Sequence, residues 1–385
     1  MPNSPDDFIY AGRRALNIRD NTLDNAQLET RCPLDNGRHN CTHISTCFPT
    51  NQLDRLPLEL IIEVLLRLDI PSLTRFRGLN RRTMELVNSV HQYTTIIKHC
   101  PNIIRAIVSI QADAFDCGTL YRTLCTSRCS TCRHFGNYLY LIDCRRVCYF
   151  CFTKRAEYFP LTSLEASRFF TKPQSKVKSS RKLLELAKPP SILSLPGKYC
   201  NAKGVGYSRR RRLRLYDRQA VVKSLVGCGL PQLDKASSEP KRFMAIISAP
   251  VLLNNGLQVD EGFFCFGCMN KTYEKTGHFR IKYTTEELSE HIASYGQVVE
   301  SMPGSPSMFM HATQDDEYYN EYDDEYYDGY DDEYYDEYDD KYYDEYDDEY
   351  YDEYYDEYYN EYDDEYHDEH DDEDEDEYML ESNEY

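Results

Sequence analysis

The chain has 385 residues, enough for two or three domains, and a formal net charge of −22. That charge averages two unlike regions: residues 315–385 hold 39 of the 66 acidic residues and one of the 44 basic ones, so a stretch of net +16 precedes one of net −38. No apolar run approaches the roughly 18 residues that span a bilayer, and MPNSPDDFIYAGRR lacks the basic-then-apolar order of a secretory signal. The expectation is a soluble intracellular protein with reduced thiols, so the fifteen cysteines need a role other than disulfides.

Residues 1–50 read as a flexible leader. Cys32, Cys41 and Cys47, with His39 and His43, have spacings that fit no zinc pattern. The first strong element follows. Over residues 58–68 only Glu59, Glu63 and Arg67 are polar, four apart and so on one narrow helical stripe. Leu58, Leu60, Ile61, Ile62, Val64, Leu65, Leu66 and Leu68 cover the rest, and Pro57 suits the first helical position. A surface helix normally buries one face. The excess apolar surface therefore belongs either to a partner or to the middle of a larger core. Asp69, Ile70 and Pro71 break the helix. Ser72 caps a second one through Leu73, Arg75 and Phe76, and after Gly78 a third runs through Arg82, Met84, Leu86 and Val87. Three short helices make a core of marginal size for a lone domain.

Residues 51–95 thereby resemble an F-box. The resemblance rests on Leu56-Pro57, Glu59-Leu60, Val64-Leu65-Leu66, Leu68, Leu73, Phe76-Arg77 and Leu79-Asn80-Arg81. It departs in the third helix, where F-boxes often carry an aromatic residue; here Met84 and Leu86 fill that region, in a chain without tryptophan. The resemblance implies docking on the Skp adaptor of a cullin–RING ubiquitin ligase through Leu56, Pro57, Leu60, Ile61, Leu65 and Leu68. The rest of the chain would then hold a protein substrate.

Residues 96–160 read as helical linker plus a cysteine-rich segment. Pro101 starts a helix through Ile103, Ile104, Ala106, Ile107 and Ile110, and Leu120 and Leu124 mark another. Then come Cys125, Cys129, Cys132, Cys144, Cys148 and Cys151. Within them CSTC and CYFC stand fifteen residues apart, the pattern of paired C-x2-C knuckles in a four-thiolate zinc site. Each knuckle puts two thiolates at one tight turn, and two knuckles close a tetrahedron. Cys129, Cys132, Cys148 and Cys151 are the expected ligands, set against a reading as buried or redox-active thiols; Cys125 and Cys144 read as core residues, with alternative ligands as the second reading. The stretch NYLYLI, residues 137–142, is a strand candidate bounded by Gly136, so the segment is expected as a zinc-ribbon-like hairpin. A closed site of this kind stabilises a fold and does not activate water.

From 161 to 300 an α+β region is expected to carry the substrate site. TSLEASRFF reads as a short capped helix and residues 172–188 as a basic, serine-rich linker or exposed face. Two basic clusters occur: Lys176, Lys178, Arg181 and Lys182, then Arg209, Arg210, Arg211, Arg212 and Arg214. The second suits nuclear import, a phosphate-binding patch or a solvated face. With only Tyr207 and Tyr216 flanking it, nucleic-acid binding is disfavoured. Cys265 and Cys268 in FFCFGC form a further C-x2-C pair. The order of F-box, helices, paired knuckles, C-x-G-C and an acidic helix with a histidine resembles a group of fungal F-box proteins, which implies His291 as a third ligand, with His278 as an alternative. No cysteine follows, and Tyr295 stands where one is expected. This second set is therefore a weaker metal candidate, set against a remnant site or two core cysteines.

Residues 301–385, entered through PGSP, are low complexity and hold 22 of the 35 tyrosines; dense like charge with no aliphatic core predicts disorder. No nucleophile elbow, P-loop or dinucleotide fingerprint is present. The fold expected is mainly α with a small zinc-ribbon-like β element. The function expected is a non-catalytic, substrate-recruiting subunit of a Skp–cullin–F-box ligase with a structural zinc and no membrane partner. The alternatives are a zinc-containing nuclear protein acting through its arginine patch, and a Skp-binding protein outside any ligase.

Overall fold

The computed structural model describes residues 12–13, 20–32, 34, 55–169, 177–200, 206–223, 240–269, 278–300 and 309–311. Met1–Gln314 forms one unit and Asp315–Tyr385 a second. The second unit, with the tail expected to be disordered, lies outside the described residues, as do His39, Cys41, His43 and Cys47.

The region that resembles an F-box folds as three helices. Leu58–Leu66 follows Pro57 directly. The break at Asp69 is itself the start of the second helix, Ile70–Arg77, and Asp69 replaces Ser72 as its cap. The Asp69 carboxylate accepts the Ser72 N–H at 2.8 Å, and Pro71 falls in the first turn, where no N–H is missed. Asn80 caps Arg81–Asn88 in a capping box closed by the Thr83 hydroxyl. Helices His91–His99, Pro101–Ile110 and Cys117–Leu124 continue the chain. Ile61, Leu65, Ile70, Leu73, Leu86 and Val87 pack into the same core as Ile96, Ile104, Ile107 and Leu120. The Cys117 N–H donates to the Leu68 carbonyl at 3.0 Å, and Asp69 bridges Asp116. A unit too small to stand on its own core thus draws its interior from the linker helices. Among the described residues no helix is long and apolar enough to cross a membrane.

Residues 20–32 are not a free leader. Leu23, Ala26 and Leu28 are buried, Asp24 accepts the Ser248 N–H at 3.0 Å, and Arg105 pairs with Glu29 and donates to the Cys32 carbonyl. Gly12–Arg13 forms strand pairs with Cys265 and Phe264. Three scattered apolar residues have too little periodicity to announce such a segment.

The strand read into 137–142 is Tyr138–Tyr140. It pairs antiparallel with Arg145–Val147 on one edge and with the distant Ile246–Ser248 on the other. The expected two-stranded hairpin is therefore two-thirds of a three-stranded sheet, and Leu139, Tyr140, Leu141 and Ile142 are fully buried. Beyond this point short sheets alternate with helices, the α+β character expected for 161–300. Val177–Ala187 is a helix within the stretch read as a linker or an exposed face. Its Leu184 packs with Leu161, Ala166 and Val221, and its basic residues disguise it. Val298–Glu300 pairs with Phe309–His311, so the folded unit continues past residue 300.

Arg146, within Arg145–Val147, is 2% exposed. Its guanidinium donates to the carbonyls of Thr123 (3.1 Å), Leu124 (3.3 Å), Ala249 (3.0 Å), Pro250 (2.8 Å) and Gly136. Burial pulls its pKa down to about 10, which still leaves it charged at neutral pH. Thr123 and Leu124 end a helix, where carbonyls lack intrahelical donors. Gly136 is glycine because a Cβ would sit 2.6 Å from the Arg146 Cγ. Arg146→Met should lower the unfolding free energy by at least ~3 kcal/mol, since several buried carbonyls lose their donor. Arg146→Lys, with three donors on a flexible stem, should recover only part of that loss. Denaturant titration checks both, and an Arg146→Met variant as stable as wild type would show the guanidinium to be dispensable.

Candidate functional site

Leu60 and Val64, one helical turn apart, are each 53% exposed, and Leu56 and Leu58 are exposed beside them. Pro57, Glu59, Glu63 and Arg67 are exposed as well. Ile61 and Leu65 are not part of this face. They are 4% and 3% exposed and serve the interior, while Leu56, Pro57 and Leu60, of the six docking positions implied by the resemblance, are exposed. Leu68 is half-buried against the same core. One helix therefore has residues in the interior and exposed apolar residues beside them.

Cys129 and Cys132 lie on a turn that folds back on itself. The Cys129 N–H donates to the His134 carbonyl at 2.7 Å, the Thr131 N–H reaches the Cys129 Sγ at 3.5 Å, and Arg133 takes a φ of 71°. Cys148 caps the helix Tyr149–Lys154, whose first turn delivers Cys151. Ser130 ties the two turns together, because its N–H (2.9 Å) and hydroxyl (2.8 Å) both donate to the Arg146 carbonyl. The four sulfurs lie within 4.8 Å of one another, with Cys132 and Cys148 at 3.5 Å. A zinc–thiolate tetrahedron with ~2.3 Å bonds has edges of ~3.8 Å. The sulfurs share one electrostatic problem. Hydrogen bonds from Cys132, Cys148 and Cys151 hold the Cys129 thiol well down, and the thiolate so favoured pushes Cys148 and Cys151 up. A divalent cation at the centre removes that conflict. Cys144 stands outside the group, buried in the hairpin turn with φ 61°, and burial raises its thiol to about 12. Cys125 is half-buried next to Tyr121.

The second group is larger than its sequence pattern. Cys265, Cys268, His291 and His311 are all buried, and their ligand atoms lie within 4.8 Å of one another. Cys265 ends the strand Phe263–Cys265 and Cys268 follows on the turn Phe266–Met269. His291 comes from the helix Thr285–Tyr295, which Thr284 caps with Glu287 in a capping box. His311, on Phe309–His311, is the residue that sequence reasoning missed. Tyr295 does not complete the set; its ring packs against His291 at 4.6 Å, with Tyr283 stacked on His291 at 4.7 Å. The side chain of His278 lies outside the described residues. One signal for His311 was present: a Cβ at Gly267 would stand 2.7 Å from the His311 ring, so the glycine of C-x-G-C makes room for it.

The arginine run is partly structural. Arg212 donates to the carbonyls of Ser194 (3.0 Å), Leu193 (3.1 Å) and Ser109. Arg214 belongs to Arg214–Tyr216, the central strand between Leu161–Thr162 and Ser191–Leu193. Arg210 and Arg211 are exposed. The side chains of Lys176, Lys178 and Arg181 lie outside the described residues.

Residues 53–95 match the F-box domain. The match ends before both cysteine groups. No curated protein and no solved structure matches the chain.

The convergence of Cys129, Cys132, Cys148 and Cys151 has a spectroscopic consequence. Cobalt(II) bound to the full chain should show thiolate-to-metal charge transfer that Cys129→Ser or Cys148→Ser weakens and that Cys125→Ala or Cys144→Ala leaves intact. A band insensitive to Cys129→Ser would show that this group does not hold the metal.

Proposed function

We propose that this chain is the substrate-recruiting subunit of a Skp–cullin–F-box ubiquitin ligase. F-box domains bind the Skp adaptor and, through it, a cullin. The observation that carries the reading is the exposed apolar surface of Leu58, Leu60 and Val64, with Leu56 just ahead of them, on a helix that Ile61 and Leu65 anchor in the interior. Fully burying one such side chain is worth about 1.5–3 kcal/mol, so this surface rewards whatever covers it. The docking face is then Leu56, Pro57, Leu58, Leu60 and Val64, with Ile61, Leu65 and Leu68 supporting it.

The role is non-catalytic and geometric. The F-box helices share one interior with the linker helices and the central sheet, and a shared interior suits an adaptor that must hold a protein substrate at a fixed reach from the ligase. Residues 161–300 are the region assigned to that substrate. A structural zinc on Cys129, Cys132, Cys148 and Cys151 completes the body by clipping both ends of the hairpin. The reading needs neither nucleic acid nor a membrane, and it places the protein inside the cell, in cytoplasm or nucleus.

Binding of the full chain to the purified Skp adaptor tests this. Leu60→Asp plus Val64→Asp should reduce affinity at least ~100-fold, about 2.7 kcal/mol, with an unchanged unfolding midpoint. Ile61→Ala should instead cost about 2–4 kcal/mol of stability. If wild type does not bind the adaptor, or the double variant binds as well as wild type, the reading is wrong.

A further inference from the structure

The second group of ligand-type side chains is built as a metal centre in its own right. The Cys268 Sγ lies 3.4 Å from His291 Nε2 and 3.5 Å from His311 Nε2, and the Cys265 Sγ lies 3.4 Å from His311 Nε2. Those separations are close to the ~3.6 Å edge of a tetrahedron with ~2.3 Å sulfur and ~2.1 Å nitrogen bonds. His311 is oriented for the task. Its Nδ1 meets the Gly296 carbonyl at 2.8 Å; a carbonyl can only accept, so Nδ1 carries the proton and Nε2 presents its lone pair to the thiols. Ligating histidines are held in this way by a second hydrogen bond. His291 is clamped between the rings of Tyr283 and Tyr295.

The apolar interior around this group is small. Among the described residues its buried members are Cys265, Cys268 and Leu288, with Phe263, Tyr283, Ile292 and Val298 partly buried against them, so two of the three buried ones are themselves the proposed ligands. A core of that size gives little to hold together four separate pieces of chain: Gly12–Arg13, Phe263–Cys265, the run 282–295 and Phe309–His311. A two-sulfur, two-nitrogen donor set in tetrahedral spacing suits zinc.

We propose that Cys265, Cys268, His291 and His311 bind a second zinc ion, and that this ion closes the module of Phe263–Cys265, Lys282–Tyr283, Thr285–Tyr295 and Phe309–His311 with the strand Gly12–Arg13. The module is tied to the first thiolate group. Glu287, in the cap of the His291 helix, pairs with Arg128, the residue before Cys129. Arg280 pairs with Asp20 and lies 3.9 Å from the Tyr149 ring, next to Cys148. A Cβ at Gly262 would come 2.8 Å from the Phe135 ring. The second ion therefore sets the position of a subdomain packed on the first. His311 is also the last described residue before the acidic run that begins at Asp315.

Zinc content and zinc K-edge absorption fine structure, measured on the full chain after dialysis against a weak chelator, test this. Wild type should carry two zinc ions with an average shell of about three sulfurs and one nitrogen. His311→Ala should carry one ion in an all-sulfur shell, and His311→Cys should keep two with a shell richer in sulfur than wild type. One ion in a shell of two sulfurs and two nitrogens would uphold this centre and remove zinc from the first. A wild type with one all-sulfur zinc, a second ion in an oxygen shell captured by the acidic run, or a His311→Ala variant that retains both ions would overturn the proposal. None of these outcomes depends on adaptor binding.

Discussion

One buried cation organises the middle of the molecule. Arg146 gathers carbonyls from the end of helix Cys117–Leu124, from the turn that enters the hairpin and from the loop after Ile246–Ser248. Its own carbonyl receives Ser130 of the first cysteine turn. A charge taken out of water is costly unless every donor is used. Here the donors are spent on carbonyls that would otherwise be orphaned, including two at a helix end. The arrangement fixes the distance between the helical half and the sheet, and it fixes the turn that holds Cys129 and Cys132 relative to the strand that leads into Cys148.

The consequences spread in both directions. Toward the N-terminus, helix Cys117–Leu124 is joined to the F-box through the Leu68 carbonyl and the Asp69–Asp116 bridge. The exposed stripe at Leu60 and Val64 is therefore presented by a helix with little freedom to tilt. Toward the C-terminus, Ile246–Ser248 completes the sheet, and the two cysteine groups meet through Arg128 and Glu287. Rigidity of this kind suits the proposed role of a subunit that bridges two proteins.

The legible parts of the sequence were those with short-range signals. The excess of apolar residues over 58–68 is visible because helical periodicity exposes it, and the paired C-x2-C turns are visible because a metal site imposes fixed local spacing. What stayed hidden depended on distant partners. Ile61 and Leu65 look identical to Leu60 and Val64 in the sequence, and only packing against the linker helices separates buried from exposed. Leu23 and Leu28 carry no periodicity, and their place comes from a core built elsewhere. Arg146 reads as one more basic residue, because its partners are backbone carbonyls that have no sequence signature. His311 was missed because it stands beyond the PGSP sequence read as the boundary of the tail. The glycine of C-x-G-C was its only local trace.

The central claim is that the F-box and the cysteine-clipped sheet form one cooperative unit. Amide hydrogen exchange on the full chain, with zinc bound and after its removal, tests this most directly. Loss of the metal should release protection in Tyr138–Tyr140, Ile246–Ser248 and Cys117–Leu124 together, and Leu58–Leu66 should lose protection with them, because all four draw on one interior. Loss of protection in the sheet with full retention in Leu58–Leu66 would show the F-box to be an independent domain and would contradict the account.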